Sequence, residues 1–264
     1  MTSKVTTETN LNTHDHVHMK GRVALVTGGA RRVGRAVALR LARAGMDVAI
    51  TFRSSAAEAA DVVGRIEKMG CLALSIHVDL AAADAAEHVH RSFAEHFDRL
   101  DALVNNASVF ESSPIGGITA DAFDRAMAVN VRAPLLLIQK FAPLLAAQYP
   151  QSAGRVVNFI DIHVMGQPLK GYMAYNVSKA ALSEATMTAA MELAPKVTVN
   201  AIAPGVVEWA ESYTPQEREL YLRRVPLGRP GTVNDAAEAV LFLVRDAEYC
   251  TGQIIRLDGG RLLT

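Results

Sequence analysis

Short apolar runs alternate with longer amphipathic stretches from residue 21 to the end of this 264-residue chain. The runs have the length of buried strands, and the stretches between them repeat apolar residues at helical spacing. Strands that alternate with helices predict βαβ units, in which helices cover both faces of a parallel sheet. The predicted strands span residues 23–27, 48–52, 72–78, 102–105, 156–160, 197–202 and 254–257. The predicted helices span residues 33–44, 56–69, 83–97, 119–130, 132–148, 173–194 and 233–246.

This alternation predicts an α/β fold, with a single Rossmann-type, doubly wound parallel sheet of about seven strands and helices on both faces. Residues 21–264 are predicted to form one domain, because α/β folds of this length commonly do. The segment 206–232 interrupts the alternation with polar residues and prolines. We expect this lid segment to hold one or two short helices over a substrate site.

Residues 1–20 are polar and without periodicity, which predicts a flexible N-terminal arm. Three histidines alternate in it, His14, His16 and His18. Their spacing matches none of the usual zinc patterns, so no metal site is predicted.

The composition excludes several classes of function. Lys and Arg number 27, Asp and Glu number 27, and the formal net charge is zero, so neither nucleic acid nor a membrane surface is an expected partner. No apolar run approaches the roughly 18 residues of a membrane span, and the first residues lack the apolar stretch of a secretory signal. With two cysteines far apart, Cys71 and Cys250, a cytoplasmic location is expected.

A glycine-rich loop follows the first predicted strand and opens the first predicted helix. Its sequence is Thr27-Gly28-Gly29-Ala30-Arg31-Arg32-Val33-Gly34. A glycine turn that brings a helix N-terminus close to a pyrophosphate is typical of dinucleotide sites. Arg32 stands where such loops usually have a glycine, and arginines at this end of a helix favour a bound anion. Two solvent-facing arginines are the alternative.

The end of the second predicted strand indicates which dinucleotide binds. NAD sites usually place an Asp or Glu here for the ribose 2′-hydroxyl, and this chain has neither. Arg53 and Ser54, together with Arg31 of the glycine loop, suit a 2′-phosphate instead. The predicted cofactor is therefore NADP(H).

Further cofactor contacts are predicted where other strands end. Asp79, followed by Leu80, is placed to bind the adenine amino group, although capping a helix explains it equally well. Asn106 and Ala107 follow the fourth predicted strand, beside the expected position of the cofactor ribose.

Tyr175 and Lys179 are spaced so that both side chains lie on one face of a helix. An ammonium group beside a phenol favours the phenolate, so we expect Lys179 to lower the pKa of Tyr175. A bound dinucleotide beside such a tyrosine predicts hydride transfer coupled to proton transfer.

These motifs resemble, in order and spacing, the short-chain dehydrogenase/reductase family. The resemblance covers nearly the whole chain and rests on Gly28, Gly34, Asn106, Ala107, Asn130, Tyr175, Lys179, Pro204 and Gly205. It implies that Tyr175 donates or accepts the proton and that Lys179 holds the nicotinamide ribose. It also implies that Asn130 helps to hold a proton-relaying water and that Pro204-Gly205 pass beside the nicotinamide.

One departure from the family pattern narrows the expected substrate. Most members have a serine where this chain has Ile162, and Asp161 precedes that position. An aspartate here resembles the pteridine reductases, as do Arg32 and the segment Ala107-Ser108-Val109-Phe110. One extra residue separates Asp161 from Tyr175, which leaves open that Asp161 only caps a turn.

The resemblance implies NADPH-dependent reduction of a dihydropterin or dihydrofolate to the tetrahydro form. Phe110 is expected to stack on the flat pterin, while Ser108 and Arg32 bond its polar edge. Tyr175 would donate the proton and Asp161 would resupply it.

Two alternatives stay open. One is another carbonyl or alcohol oxidoreductase of the family, such as a 3-oxoacyl carrier protein reductase, which Arg32 and the missing serine disfavour. The other is a non-catalytic NADP(H) sensor, which the intact Asn130, Tyr175 and Lys179 disfavour.

The family resemblance also implies a homotetramer, formed through the predicted helices 132–148 and 173–194. In the lid segment, Glu208, Trp209 and Tyr213 are further candidates to line the pocket. Packing of the tryptophan on its own domain is an equally good explanation.

Overall fold

Seven parallel strands form one sheet in the computed structural model, which describes residues 19–209 and 213–264. The strands are β1 (Val23–Val26), β2 (Asp47–Phe52), β3 (Ala73–His77), β4 (Ala102–Asn105), β5 (Gly154–Phe159), β6 (Val197–Pro204) and β7 (Ile254–Leu257). Their order in the sheet is β3-β2-β1-β4-β5-β6-β7. Each predicted strand overlaps an observed one, and the doubly wound α/β fold predicted from the sequence is confirmed.

The strand order reverses beside β1, which pairs with β2 on one side and β4 on the other. Leu25 of β1 is level with Ala49 of β2 and with Leu103 of β4. The connections leave β1 and β4 in opposite directions, so a crevice opens beyond their carboxyl ends. Ligands of open α/β sheets bind in such crevices.

Helices cover both faces of the sheet, as the alternation predicts. They are α1 (Arg32–Arg43), α2 (Ala56–Glu67), α3 (Ala85–Ala94), α4 (Ala120–Met127), α5 (Ala133–Ala146), α6 (Met173–Leu193), α7 (Pro215–Leu222) and α8 (Val233–Arg245). The sheet divides the core, with α1, α2 and α8 packed on one face and α3, α5 and α6 on the other. Within the described ranges, no helix combines the length and the apolarity that crossing a membrane requires.

The N-terminal prediction needs one correction. Met19 is 1 % exposed and belongs to the core on the α1 face, so the predicted arm of residues 1–20 extends too far. An isolated apolar side chain in a polar stretch carries no periodicity, but it still gains free energy from burial. Residues 1–18, with His14, His16 and His18, lie outside the described residues.

The lid segment contains the helix α7, in agreement with the predicted one or two short helices. Its first turn is stabilised by a capping box, in which the Thr214 side chain accepts from the Glu217 amide and the Glu217 side chain accepts from the Thr214 amide. Residues 210–212 of the lid lie outside the described residues.

Candidate active site

The crevice beyond β1 and β4 is a cavity of about 620 Å³. The glycine loop and the ends of β2, β4, β5 and β6 form most of its wall, and the lid segment completes it. Every residue predicted to belong to the site lines this cavity except Asn130 and the lid candidate Trp209. The structure therefore brings together side chains that come from along most of the chain.

The glycine loop is shaped so that the backbone itself forms part of the cavity wall. A Cβ on Gly34 would lie 2.2 Å from the Gly28 carbonyl oxygen, and one on Gly28 would lie 3.1 Å from the Ala107 Cα. Gly28 also has φ +64°, which side chains disfavour. The first turn of α1 has no acidic residue and no side-chain cap. Its N-terminus is therefore open to an anion such as a pyrophosphate.

Asn106 locks this loop to the end of β4. Its side-chain amide donates to the Thr27 carbonyl oxygen at 2.9 Å and to the Gly28 carbonyl oxygen at 3.3 Å. The Thr27 hydroxyl in turn accepts from the Asn106 and Ala107 amides, each at 3.0 Å. These bonds hold the glycine loop rigid where a dinucleotide would contact it.

The end of β2 fits a ribose that carries a 2′-phosphate. Arg31, Arg53 and Ser54 line the cavity there, and Arg31 forms an exposed ion pair with Glu58, with Nε and Oε1 4.0 Å apart. An exposed pair this loose contributes little, so Arg31 is available to a phosphate. The donors at this end of the cavity suit NADP(H), as predicted.

Asp79 closes a turn after β3 and does not cap a helix, since Asp84 is the N-cap residue of α3. The Asp79 Oδ1 accepts from the Ala81 amide at 2.9 Å, and its Oδ2 lies 3.4 Å from an Arg125 nitrogen. The hydrogen bond from the Ala81 amide, aided by the Arg125 charge, lowers the pKa of Asp79. Asp79 and Leu80 both line the cavity, and contact with adenine stays a prediction.

Arg32 has a protein partner that the sequence did not indicate. Its Nε donates to Glu208 Oε2 at 2.8 Å, and a terminal nitrogen lies 3.3 Å from the Glu208 carbonyl oxygen. The backbone of Arg32 lies in the left-handed region that side chains disfavour, with φ 51°. The pair joins the glycine loop to the lid segment across the cavity mouth.

Asp161 lies beside the hydroxyl of Tyr175. Its Oδ2 accepts from the Tyr175 hydroxyl at 2.7 Å, and its Oδ1 accepts from the His163 amide at 2.8 Å. The segment between Asp161 and Tyr175, which is one residue longer than the family pattern, contains Gly166 and Gly171 with positive φ. Asp161 therefore both caps the turn Ile162–Val164 and binds the tyrosine.

The pKa of Tyr175 is raised well above its ordinary value. Burial is the main cause, since the residue is 7 % exposed, and the charge and hydrogen bond of Asp161 raise the pKa further. The expectation that Lys179 lowers the pKa of Tyr175 is therefore wrong. The spacing of Tyr175 and Lys179 is local, whereas the burial that dominates the pKa of Tyr175 and the carboxylate that adds to it both come from tertiary packing.

Lys179 is buried and points to the backbone of β5. Its Nζ donates to the Phe159 carbonyl oxygen at 2.7 Å and lies 5.8 Å from the centre of the Tyr175 ring. Burial lowers the pKa of Lys179 to about 8, and the charge of Asp161 acts in the opposite direction. Lys179 can thus change its charge close to neutral pH. Holding the ribose stays a prediction.

Asn130 lies in a wide helical turn, Ala128–Arg132, that joins α4 to α5. Its Oδ1 accepts from the Val109 amide at 2.8 Å, and its Nδ2 donates to the Val109 carbonyl oxygen at 3.0 Å and to the Ser178 hydroxyl at 2.9 Å. The Ser108 hydroxyl also donates to Oδ1, at 3.2 Å. The side chain therefore fixes the segment that carries the predicted substrate residues, and its role with water stays a prediction.

Phe110 is held between two tyrosines. Its ring stacks on Tyr172, with centres 4.5 Å apart and planes at 13°, and meets the edge of Tyr175 at 4.8 Å. Phe110 is 43 % exposed and lines the cavity. Phe110 therefore forms an aromatic part of the cavity wall next to the Tyr175 ring. The sequence analysis did not indicate the contact with Tyr172.

The lid contributes residues that the sequence analysis either left as candidates or missed. Glu208, Tyr213 and Tyr221 line the cavity, and Trp209 packs on Tyr221 with ring centres 5.5 Å apart. The tryptophan thus packs on its own domain. The sequence analysis assigned no role to Tyr221 or to His163, which also lines the cavity.

Sequence and structure comparisons identify known proteins to which this chain is similar. The family model described as "Enoyl-(Acyl carrier protein) reductase" matches residues 28–261. The 3-oxoacyl-[acyl-carrier-protein] reductase FabG of Staphylococcus epidermidis is 34% identical over 242 residues, which cover 90% of this chain and 97% of that protein.

Two solved structures are also similar. FolM, alternative dihydrofolate reductase 1 of Brucella canis, complexed with NADP, has a TM-score of 0.85 and 34% identity and covers 94% of this chain and 96% of its own. A blue fluorescent protein from a metagenomic library, in complex with NADPH, has a TM-score of 0.83 and 33% identity, with 92% and 99% covered. Both carry the cofactor that the sequence predicts. With its fold, its glycine loop and its Asn130, Tyr175 and Lys179 in place, this chain belongs to the short-chain dehydrogenase/reductase family of oxidoreductases.

Proposed function

We propose that this protein is an NADPH-dependent reductase of the pteridine type, which reduces a dihydropterin or dihydrofolate to the tetrahydro form. The observation that carries the proposal is the 2.7 Å hydrogen bond from the Tyr175 hydroxyl to the Asp161 carboxylate. Carbonyl reductases of the family are expected to have a serine hydroxyl in that region.

The charge of Asp161 explains why this contact favours a C=N bond over a carbonyl. Reduction of a carbonyl builds negative charge on an oxygen beside the tyrosine, and a neighbouring carboxylate repels that charge. A hydroxyl donor such as serine would stabilise it. Reduction of a C=N bond leaves a nitrogen that needs a proton, and an acid supported by a carboxylate can supply it.

The cavity provides separate places for cofactor and substrate. NADP(H) supplies the hydride when bound. The glycine loop would hold the pyrophosphate, Arg31 and Arg53 the 2′-phosphate, and Lys179 the nicotinamide ribose. Phe110 would stack on the pterin.

The proton is delivered by residues of this chain. Tyr175 donates from its hydroxyl to the ring nitrogen, and its raised pKa keeps that hydroxyl protonated through the neutral range. Asp161 orients the hydroxyl and passes a proton from solvent back to it. The His163 amide holds the other carboxylate oxygen at 2.8 Å, which fixes the orientation of Asp161.

A 3-oxoacyl thioester is the second candidate substrate. It is favoured by the similarity to FabG of Staphylococcus epidermidis over 90% of the chain, and this similarity supports it more strongly than sequence comparison supports a pterin. FolM of Brucella canis, at the same 34% identity, supports the first candidate.

Oxidation of NADPH, followed by absorbance, distinguishes the two candidates. The panel holds dihydrobiopterin, dihydrofolate, a 3-oxoacyl ester and a blank without substrate, each with and without methotrexate. Turnover of a dihydropterin or dihydrofolate that methotrexate inhibits is expected. Turnover of the ester alone would refute the proposal and assign the second candidate.

We also propose a homotetramer, formed through α5 and α6. Met187 and Met191 of α6 are 38 % and 83 % exposed, which is costly for apolar side chains that face water. Sedimentation velocity of the wild-type protein and of Met191→Glu tests this, because a buried charge should dissociate the assembly.

A further inference from the structure

Arg261 is a buried cation that the proposed reaction does not use. Its residue is 7 % exposed, and its Nε has no hydrogen-bond partner among the described residues. The nearby Asp258 carboxylate is occupied with the Gly260 and Leu262 amides, each at 3.0 Å. Burying a guanidinium that bonds no carboxylate is costly, so the other contacts of Arg261 must offset that cost.

The first contact of Arg261 leads to the wall that carries Asp161. Its terminal nitrogen donates to Gln167 Oε1 at 2.9 Å, across 94 positions of the chain. The Gln167 carbonyl oxygen bonds the His163 ring at 2.7 Å, and the His163 amide bonds Asp161. Arg261 therefore anchors the segment between Asp161 and α6 at its middle.

The second contact leads to the lid. The Arg261 guanidinium carbon lies 5.3 Å from the centre of the Tyr221 ring in α7, within the range of a cation–π interaction. The Tyr221 hydroxyl accepts from the Val206 amide at 3.1 Å, directly after Pro204-Gly205. Trp209 packs edge-on against the same ring, with centres 5.5 Å apart.

We propose that Arg261 is a positioning residue, which holds the Asp161 segment and helix α7 at a fixed separation as the two walls of the substrate cavity. One guanidinium reaches both walls because its fork can bond the Gln167 amide while its face covers the Tyr221 ring. The positioning role of Arg261 does not depend on the proposed function; only the choice of substrate for the kinetic test rests on it.

The chain contains a single tryptophan, so Trp209 fluorescence reports directly on the lid. In Arg261→Met, which keeps an unbranched side chain but removes the guanidinium and its charge, we expect red-shifted emission and stronger acrylamide quenching. Arg256→Met is the matched control, since Arg256 is an exposed residue of β7, and its emission should equal that of the wild type. This arm needs no substrate, so it stays decisive if the pterin assay fails.

The kinetic arm uses whichever substrate the wild-type protein reduces. We expect Arg261→Met to raise the KM for that substrate roughly tenfold, as the loss of a buried cation–π contact implies, with the dissociation constant of NADPH unchanged. Arg261→Lys should recover part of the effect, because it keeps the charge over the ring but not the fork.

Gln167→Leu provides a second test should Arg261→Met fail to fold. It should raise the same KM, and its effect should add only in part to that of Arg261→Met, because both break the bond from Arg261 to Gln167 while Gln167→Leu also breaks the 3.2 Å bond from Arg224. Trp209 quenching and a substrate KM that stay at wild-type values, with only the melting temperature lowered, would overturn the proposal. Arg261 would then stabilise the end of the chain and nothing more.

Discussion

Replacing Asp161 with asparagine removes one charge from the site and leaves the shape of the side chain. In the wild-type protein the Tyr175 hydroxyl donates to the Asp161 carboxylate at 2.7 Å. A hydrogen bond to a charged group contributes about 1.5–3 kcal/mol, and about 1.4 kcal/mol corresponds to a factor of ten in rate. Asparagine keeps an acceptor oxygen, so the contribution of the bond falls to that of a neutral pair, about 0.5–1.5 kcal/mol, and the difference of about 1–1.5 kcal/mol should lower kcat by about 5- to 12-fold. If Asp161 also passes the proton, the loss extends to about 100- to 10,000-fold.

The same substitution should change the pH dependence in a defined direction. The charge of Asp161 raises the pKa of Lys179, which burial brings down to about 8. Without that charge the pKa of Lys179 falls further. Activity that needs the protonated lysine declines as pH rises through this pKa, so the alkaline limb of the profile moves to lower pH in Asp161→Asn.

The assay is NADPH oxidation under saturating cofactor, from pH 5 to pH 10, with dihydrobiopterin as substrate. The control is Asp124→Asn, which neutralises an exposed carboxylate of α4 and should behave as the wild type. NADPH binding, measured by fluorescence, should be unchanged in both variants. A kcat within threefold of the wild type, or an alkaline limb that moves to higher pH, would refute the assigned role of Asp161.

Three further outcomes are expected. Gly34→Ala should abolish the rise in melting temperature that NADPH produces, because its Cβ would lie 2.2 Å from a backbone oxygen. Gly64→Ala is the control: a Cβ there meets open space on α2, so this substitution should stabilise the protein by about 0.5–1 kcal/mol. Arg53→Ala should raise the KM for NADPH roughly tenfold and leave that for NADH unchanged; equal changes would exclude a 2′-phosphate contact. Phe110→Ala should raise the pterin KM by about 2- to 12-fold, and an unchanged KM would show that the ring stacked on Tyr172 does not contact the substrate.

Much of the site was predictable because its motifs are local. The glycine loop, the end of β2 and the Tyr-Lys pair each need only a few consecutive residues, and the strand–helix alternation places them at one edge of the sheet. The cofactor contacts follow from that placement. Asp161 was predictable only through resemblance, since a gap of 14 residues to Tyr175 did not reveal whether the two side chains meet.

The sequence by itself determined the fold class, the position of the crevice and the chemical groups around it, because apolar periodicity dictates which residues are buried. Only the tertiary structure decided which groups touch. It paired Arg32 with Glu208 across 176 positions and Arg261 with Gln167 across 94, and it reversed the expected direction of the Tyr175 pKa. The physical reason is that hydrogen bonds and burial depend on distances of a few ångströms between segments far apart in the chain, and local patterns contain no record of those distances.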